Sequence, residues 1–175
     1  MPDLRYPIGT FVPDSNPTPQ SRGLHIAQIE GMPTRMRRAV AGLSPQQLDT
    51  PYRDGGWTVR QLVHHVPDSH MNAYIRCKLA LTENTPTIKP YNEDAWARLK
   101  DSELNPVEVS LNLLESVHTR WVTLLKSLKP QDFERKFNHP ERGTQTIDDL
   151  VALYDWHGNH HLAHITGLRD RMKWW

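Results

Sequence analysis

Apolar residues recur along the chain in four stretches at intervals of three and four, the spacing of one helix face. The prolines gather mainly between these stretches. The first predicted helix is capped by Thr18, has Pro19 at its first position, and turns Ile29, Met32, Met36, Val40 and Leu43 inward, with a bend expected at Pro33. The second follows the stretch DGGW, is capped by Thr58, carries Val59, Leu62, Val63, Val66, Ala73 and Cys77 on one side, and ends near Thr82. Pro67 interrupts it, because proline offers no N–H to the carbonyl of Val63, and a second bend is expected there. The third has the cleanest stripe: Val107, Leu111, Leu114, His118, Trp121, Leu125 and Leu128. The fourth begins near Thr146 and continues through Ile147, Leu150, Tyr154, His157, His161, Ile165, Leu168 and Met172.

Residues 84–104 read as an irregular insertion with a short helix near Ala95 to Leu99, and strand-like alternation is scarce. The fold expected is all-α: a four-helix bundle with long connections and a short extra helix between helices two and three. A weak internal echo supports a pseudo-symmetric bundle. LSPQQL leads through a Gly-containing loop to TVRQLV, and LKPQDF leads likewise to TIDDLV.

Length and charge narrow the classes. The 175 residues suit one domain, 1–175, with 1–17 as an extended N-terminal arm. Lys and Arg number 21 against 20 Asp and Glu, so no excess charge draws nucleic acid or an anionic membrane. No apolar run approaches the roughly 20 residues of a membrane span, and no signal-peptide pattern opens the chain; a cytoplasmic protein is expected. A lone cysteine, Cys77, excludes an internal disulfide and reads as a small buried residue. The basic end RDRMKWW reads as a helix C-terminus whose two tryptophans pack on a neighbouring surface.

The candidate chemistry lies in WHGNHHLAH, residues 156–164. At about 100° per residue, His157 and His161 fall on the apolar stripe of their helix, whereas His160 and His164 lie toward one flank. Histidines four apart are neighbours and can converge on one ion. A third ligand should come from another helix facing the same interior. The second helix offers His64, which turns toward solvent on its wheel, His70 on the apolar side, and His65 beside a polar file of Ser69, Asn72 and Arg76. A ligand beside a polar file faces a lined cavity, so His65 is the choice, and the file itself can receive the polar end of a substrate. Three neutral histidines leave a divalent ion at least one open position, the pattern of a catalytic site. Gly158 follows His157, so the glutamate of H-E-x-x-H is missing. His118 reads as a core residue, Asp68 as a solvated or capping carboxylate, and no residue stands out as a general acid or base.

The stretches YPIG from Tyr6, LDTPYRDGGWTVRQLVHHV from Leu48, DSHMNAYIR from Asp68, KPYNEDAW from Lys89 and WHGNHHLAHI from Trp156 resemble the YfiT-like branch of the DinB-like family of four-helix metalloproteins. The resemblance spans nearly the whole chain. It implies a bundle, homodimeric and cytoplasmic, with one divalent ion per chain. The family's ligand positions fall on His65, His157 and His161, in agreement with the helical wheels. Pro67 departs from the family pattern, where a good helix former such as alanine is usual.

Members of this kind are described as metal-dependent hydrolases, and related proteins are thiol S-transferases that use bacillithiol, mycothiol or glutathione. Both activities use an open metal position, for water in one case and a thiol co-substrate in the other. The expectation is a metal-dependent hydrolase acting on a small molecule, with the bacillithiol-type S-transferase as the alternative and a non-catalytic, metal-stabilised stress or interaction protein as the third reading. Zinc is expected first; nickel, iron or cobalt also suit three imidazoles.

Overall fold

The computed structural model describes residues 3–175. Helix α1 (Pro19–Val40) starts on Thr18, whose hydroxyl accepts from the Ser21 amide while Pro19 occupies the first turn. After α2 (Pro45–Leu48), helix α3 (Val59–Thr82) opens with a reciprocal cap between Thr58 and Gln61. Two short helices, α4 (Glu93–Trp96) and α5 (Lys100–Leu104), lead into α6 (Val107–Ser127). A 3₁₀ turn at Pro130–Glu134 precedes strands β1 (Lys136–His139) and β2 (Gly143–Thr146), and α7 (Ile147–Met172) closes the fold with a cap between Thr146 and Asp149. Both α1 and α3 run continuously through their internal prolines, Pro33 and Pro67.

The four long helices form the bundle. Helix α1 packs on α6 and α7, and α3 packs on the same two, so every long helix has two neighbours in a ring. One end of the core is built on Ile29, Ala73, Trp121, Leu125, Phe137, Ile147 and Leu150. The other end is built on Met32, Met36, Leu62, Val66, Leu114 and Ile165. Cys77 lies fully buried within the first cluster, and burial pushes its thiol up to about 11, which keeps it inert.

The echo between the two halves has a structural counterpart. Each copy is a short helical turn after a proline, a loop, and a Thr-capped long helix. The second loop differs in carrying the antiparallel hairpin β1–β2, in which Phe137 faces Gln145 and His139 faces Gly143. Gly143 takes φ 76°, a turn conformation that few other residues accept. The short run KFNH did not announce a strand by alternation.

The insertion after α3 is ordered by its neighbours. Ile88 donates to the carbonyl of Asn138, and Asn138 donates to that of Pro86, which ties the insertion to β1. Trp57 Nε1 donates to Asp94 at 3.0 Å, and Gln61 Nε2 to the Ala97 carbonyl at 2.9 Å. The expected single short helix is two, α4 and α5. Of the arm, residues 3–17 carry neither helix nor strand, while Met1 and Pro2 lie outside the described residues. The arm runs against α7: the Gly9 carbonyl accepts from Trp156 Nε1 at 3.2 Å, and the Arg5 carbonyl lies 3.1 Å from His164 Nε2.

At the C-terminus, Arg169 Nη2 donates to the Trp174 carbonyl and its guanidinium lies 4.0 Å from the Trp175 ring centre. Trp174 packs on the second core cluster, while Trp175 stays 69% exposed, so only one of the two tryptophans finds the expected surface. No helix among the described residues is long and apolar enough to cross a membrane.

Candidate metal centre

His65 from α3 and His157 and His161 from α7 meet inside the bundle, with one ring nitrogen from each lying within 4.8 Å of the others. His65 Nε2 stands 3.2 Å from His157 Nε2. Two nitrogens bound at about 2.0–2.1 Å to a tetrahedral ion are separated by about 3.3 Å, so this spacing fits a shared divalent ion. His161 lies against both partners, with ring centres 4.9 Å from His65 and 4.5 Å from His157. Among the described residues no hydrogen bond reaches it, and its Nδ1 is buried without a partner.

Protonation agrees with that fit. Burial pulls His65 down to about 4, and burial followed by the neighbouring imidazoles holds His157 and His161 well below the ordinary histidine value. All three are neutral near pH 7, the form in which imidazole binds a metal.

Behind His157 runs a line of further histidines. His118 Nδ1 lies 2.6 Å from the Ile29 carbonyl, His118 Nε2 lies 2.8 Å from His70 Nδ1, and His70 Nε2 lies 3.2 Å from His157 Nδ1. A carbonyl only accepts, so His118 carries its proton on Nδ1 and offers Nε2 as an acceptor. His70 then donates from Nδ1 and accepts at Nε2, which leaves His157 donating from Nδ1 and presenting a bare lone pair on Nε2. Burial lowers the pKa of both His70 and His118, the latter to about 4, so the relay is built from neutral rings.

The trio forms part of the wall of a pocket of about 390 Å³. Its other walls are Trp57, Ser69, Arg76 and Tyr154 from the bundle side, Tyr91 and Glu93 from the insertion, His139 and Arg142 from the hairpin, and Tyr6 from the arm. Trp57 sits edge-on to His65 at 4.8 Å. Ser69 Oγ is 3.5 Å from both the Tyr154 hydroxyl and His157 Nε2.

Several expectations change. His64 does not turn to solvent: it is buried, with Nδ1 2.7 Å from Ser110 Oγ, because α6 covers that side of α3. His118 is a core residue as expected, yet it also anchors the relay. His160 lines the pocket and stacks on Trp156, and His164 lies under the arm, stacked on Tyr52 at 4.0 Å. His160, His161 and His164 form a second close group, but it shares His161 with the first and His164 does not line the pocket. Asp68 touches neither the trio nor the pocket; burial and then Asp101 raise it to about 6. The pocket residues His139, Arg142, Tyr91 and Tyr6 lie in connections, where no periodicity points inward.

The DinB superfamily pattern matches residues 28–165. The chain belongs to the DinB superfamily. It is 58% identical over 174 residues to a Bacillus mycoides protein named "putative metal-dependent hydrolase", with 99% of this chain and 100% of that one aligned. A Bacillus cereus relative of the same name is also 58% identical over 174 residues. The fold superposes on Bacillus subtilis YfiT, described as "a probable metal-dependent hydrolase with an unusual four-helix bundle topology", with a TM-score of 0.96, 49% identity and 99% of each chain covered. The four-helix bundle protein TT2238 shares the fold alone, at a TM-score of 0.58 and 18% identity over 81% of this chain and 94% of that one. These relatives place the chain in the YfiT-like branch.

Proposed function

We propose that this DinB-superfamily protein is a metal-dependent hydrolase in which His65, His157 and His161 hold one divalent ion at the base of the pocket. The observation that carries the reading is the 3.2 Å approach of two Nε2 atoms from different helices, one buried and one half-buried, with a third imidazole beside them that has no hydrogen bond among the described residues. When bound, a divalent ion supplies Lewis acidity and lowers the pKa of adjacent water toward neutrality.

The chain's own residues do the rest. The relay from the Ile29 carbonyl through His118 and His70 holds His157 in one tautomer and one orientation. Trp57 and Tyr154 flank the trio and limit the approach of bulk water. Ser69 places a hydroxyl beside His157, within reach of a polar atom of a bound substrate. Zinc is the ion we assign first, with nickel, iron and cobalt compatible with three neutral imidazoles.

The test joins metal analysis to turnover. About one divalent ion per chain is expected in the wild-type protein and almost none in the double variant His157→Ala, His161→Ala; full occupancy in that variant would sink the assignment. The metal-loaded protein is then given ester, amide and electrophilic alkylating substrates with and without a low-molecular-weight thiol. Thiol-independent cleavage supports hydrolysis, conjugation only in the presence of thiol replaces it with S-transfer, and metal-dependent melting without any turnover makes the ion structural.

A further inference from the structure

Among the described residues two arginines are more than nine-tenths buried, and they are treated differently by the fold. Arg169, 7% exposed, donates to the carbonyls of Ala39, Ala41 and Trp174. Arg76, 8% exposed, lines the pocket and has no hydrogen-bond or ion-pair partner among the described residues. Its guanidinium is always charged and presents five donors in a planar fork. The fork opens on the pocket without a protein partner among the described residues and matches the two oxygens of a carboxylate or phosphate.

The surroundings of Arg76 point the same way. His139 Nδ1 accepts from the Glu141 amide at 3.2 Å, so the neutral ring keeps Nε2–H as its free donor. Arg142, exposed at the hairpin turn, adds a second guanidinium to the lining. Arg76 on α3, His139 on β1 and Arg142 in the hairpin turn line the same pocket as the trio. Glu93 and Glu141 also line the pocket, but both are exposed and neither pairs with these arginines.

Position along α3 sets the reach. His65, Ser69, Asn72 and Arg76 recur at intervals of four, three and four, which returns to the same face after eleven residues. Eleven residues rise about 16 Å along the axis, and because the side chains of one helix lean the same way, that rise bounds the distance between the two ends of the file. We infer that the outer part of the pocket is a subsite for an anionic group, a carboxylate or phosphate, held by Arg76 with Arg142 and His139, and that the substrate carries this group within about 16 Å of the atom presented to the trio. The inference rests on the hydrolase reading for the reactive end of the substrate; the anion subsite itself requires no metal.

The experiment titrates inorganic phosphate and, separately, succinate into zinc-loaded and chelator-stripped protein, followed by calorimetry and by melting temperature. Saturable binding with and without zinc is expected, weakened tenfold or more in Arg76→Met, partly kept in Arg76→Lys, and unchanged in the exposed control Arg38→Met. Whichever of the two anions binds more tightly names the group. Arg76→Met should melt close to the wild type in the absence of anion, because no hydrogen bond or ion pair among the described residues is lost. His157→Ala should lose the metal and keep anion binding, so failure of the metal assignment leaves this result readable. Absence of binding by both anions, binding that needs zinc, or binding that is indifferent to Arg76→Met would overturn the subsite.

Discussion

His157 Nδ1 lies 3.2 Å from His70 Nε2, and through that contact the central ring of the histidine trio is joined to a backbone carbonyl on another helix. The direction of every proton in the line follows from Ile29, whose carbonyl can only accept. Orientation of the candidate ligand is therefore a property of packing among α1, α3, α6 and α7, and not of α7 alone.

His118→Phe keeps an aromatic ring of similar shape in the core but removes both hydrogen bonds of His118. The partners of metal-bound histidines typically contribute 10–100-fold in metal affinity, and the expected loss for this variant lies in that range, about tenfold or more. Competition with a chromophoric chelator measures it. Melting of the metal-free variant serves as the control for plain destabilisation. Affinity within twofold of the wild type would show that the relay does not hold His157.

Stability should fall on acidification, and the sign follows from the shifts. His118 titrates at about 4 in the folded chain against 6.5 for an unperturbed histidine, so below pH 6.5 the unfolded state takes up a proton that the folded state refuses. Its contribution is complete above 6.5 and shrinks as the pH falls toward 4, by about 1.4 kcal/mol per pH unit for each such group. Asp68 works in the opposite sense. Raised from 3.8 to about 6, it is protonated in the folded chain where the unfolded chain is ionised, so stability from Asp68 is present at low pH and lost as the pH rises through 6. Urea midpoints of the metal-free protein between about pH 4.5 and 7.5 should therefore drop on the acid side. The drop should be shallower in His118→Phe and steeper in Asp68→Asn. A flat profile in all three proteins would contradict the buried, neutral state assigned to His118.

The helices and two of the three histidines that meet in the pocket were legible in the sequence for local reasons. Thr18, Thr58 and Thr146 stand as caps because each is followed three residues later by a side chain that returns the bond, Ser21, Gln61 and Asp149. His157 and His161 were readable because four-residue spacing on an apolar stripe is itself a geometry. The relay was not, since His70 and His118 are 48 residues apart and meet only when α3 packs on α6. His64 was misjudged for the same reason: a helical wheel knows one helix, and the partner that buries His64 is Ser110 on another. The hairpin that supplies His139 and Arg142 has strands of four residues, too short for alternation to separate them from a loop.

Arg22 and Asp148 join α1 to the first turn of α7 by two parallel bonds, Nε to Oδ1 at 2.6 Å and Nη2 to Oδ2 at 2.7 Å, with both side chains largely buried. Removing one partner leaves the other charged and unpaired inside the protein. Asp148→Ala should cost about 3 kcal/mol in denaturant unfolding. The double variant Arg22→Met, Asp148→Ala should regain most of that loss, because the orphaned charge is gone. A single variant as stable as the wild type would mean that solvent already screens the pair.

Gly158 occupies the place where zinc peptidases carry a glutamate after the first histidine, and its surroundings explain why no side chain stands there. A Cβ at this position would lie 2.8 Å from Cε and 3.3 Å from Cγ of Met32, and 3.4 Å from Cε1 of His70. The position faces the seam between α7, α1 and α3, not the pocket. Gly158→Glu would create the H-E-x-x-H spelling with its carboxylate directed into that seam. Overpacking alone costs about 1–3 kcal/mol, and an unpaired buried carboxylate adds to it. Because the rest of the glutamate extends beyond Cβ into a seam where His70 already stands at van der Waals contact, the variant should lose metal affinity along with stability, and gain no peptidase activity. Chelator competition, thermal melting and a peptide-cleavage assay read the three effects separately; new peptide cleavage in a variant of unchanged melting temperature would show that residue 158 reaches the pocket after all.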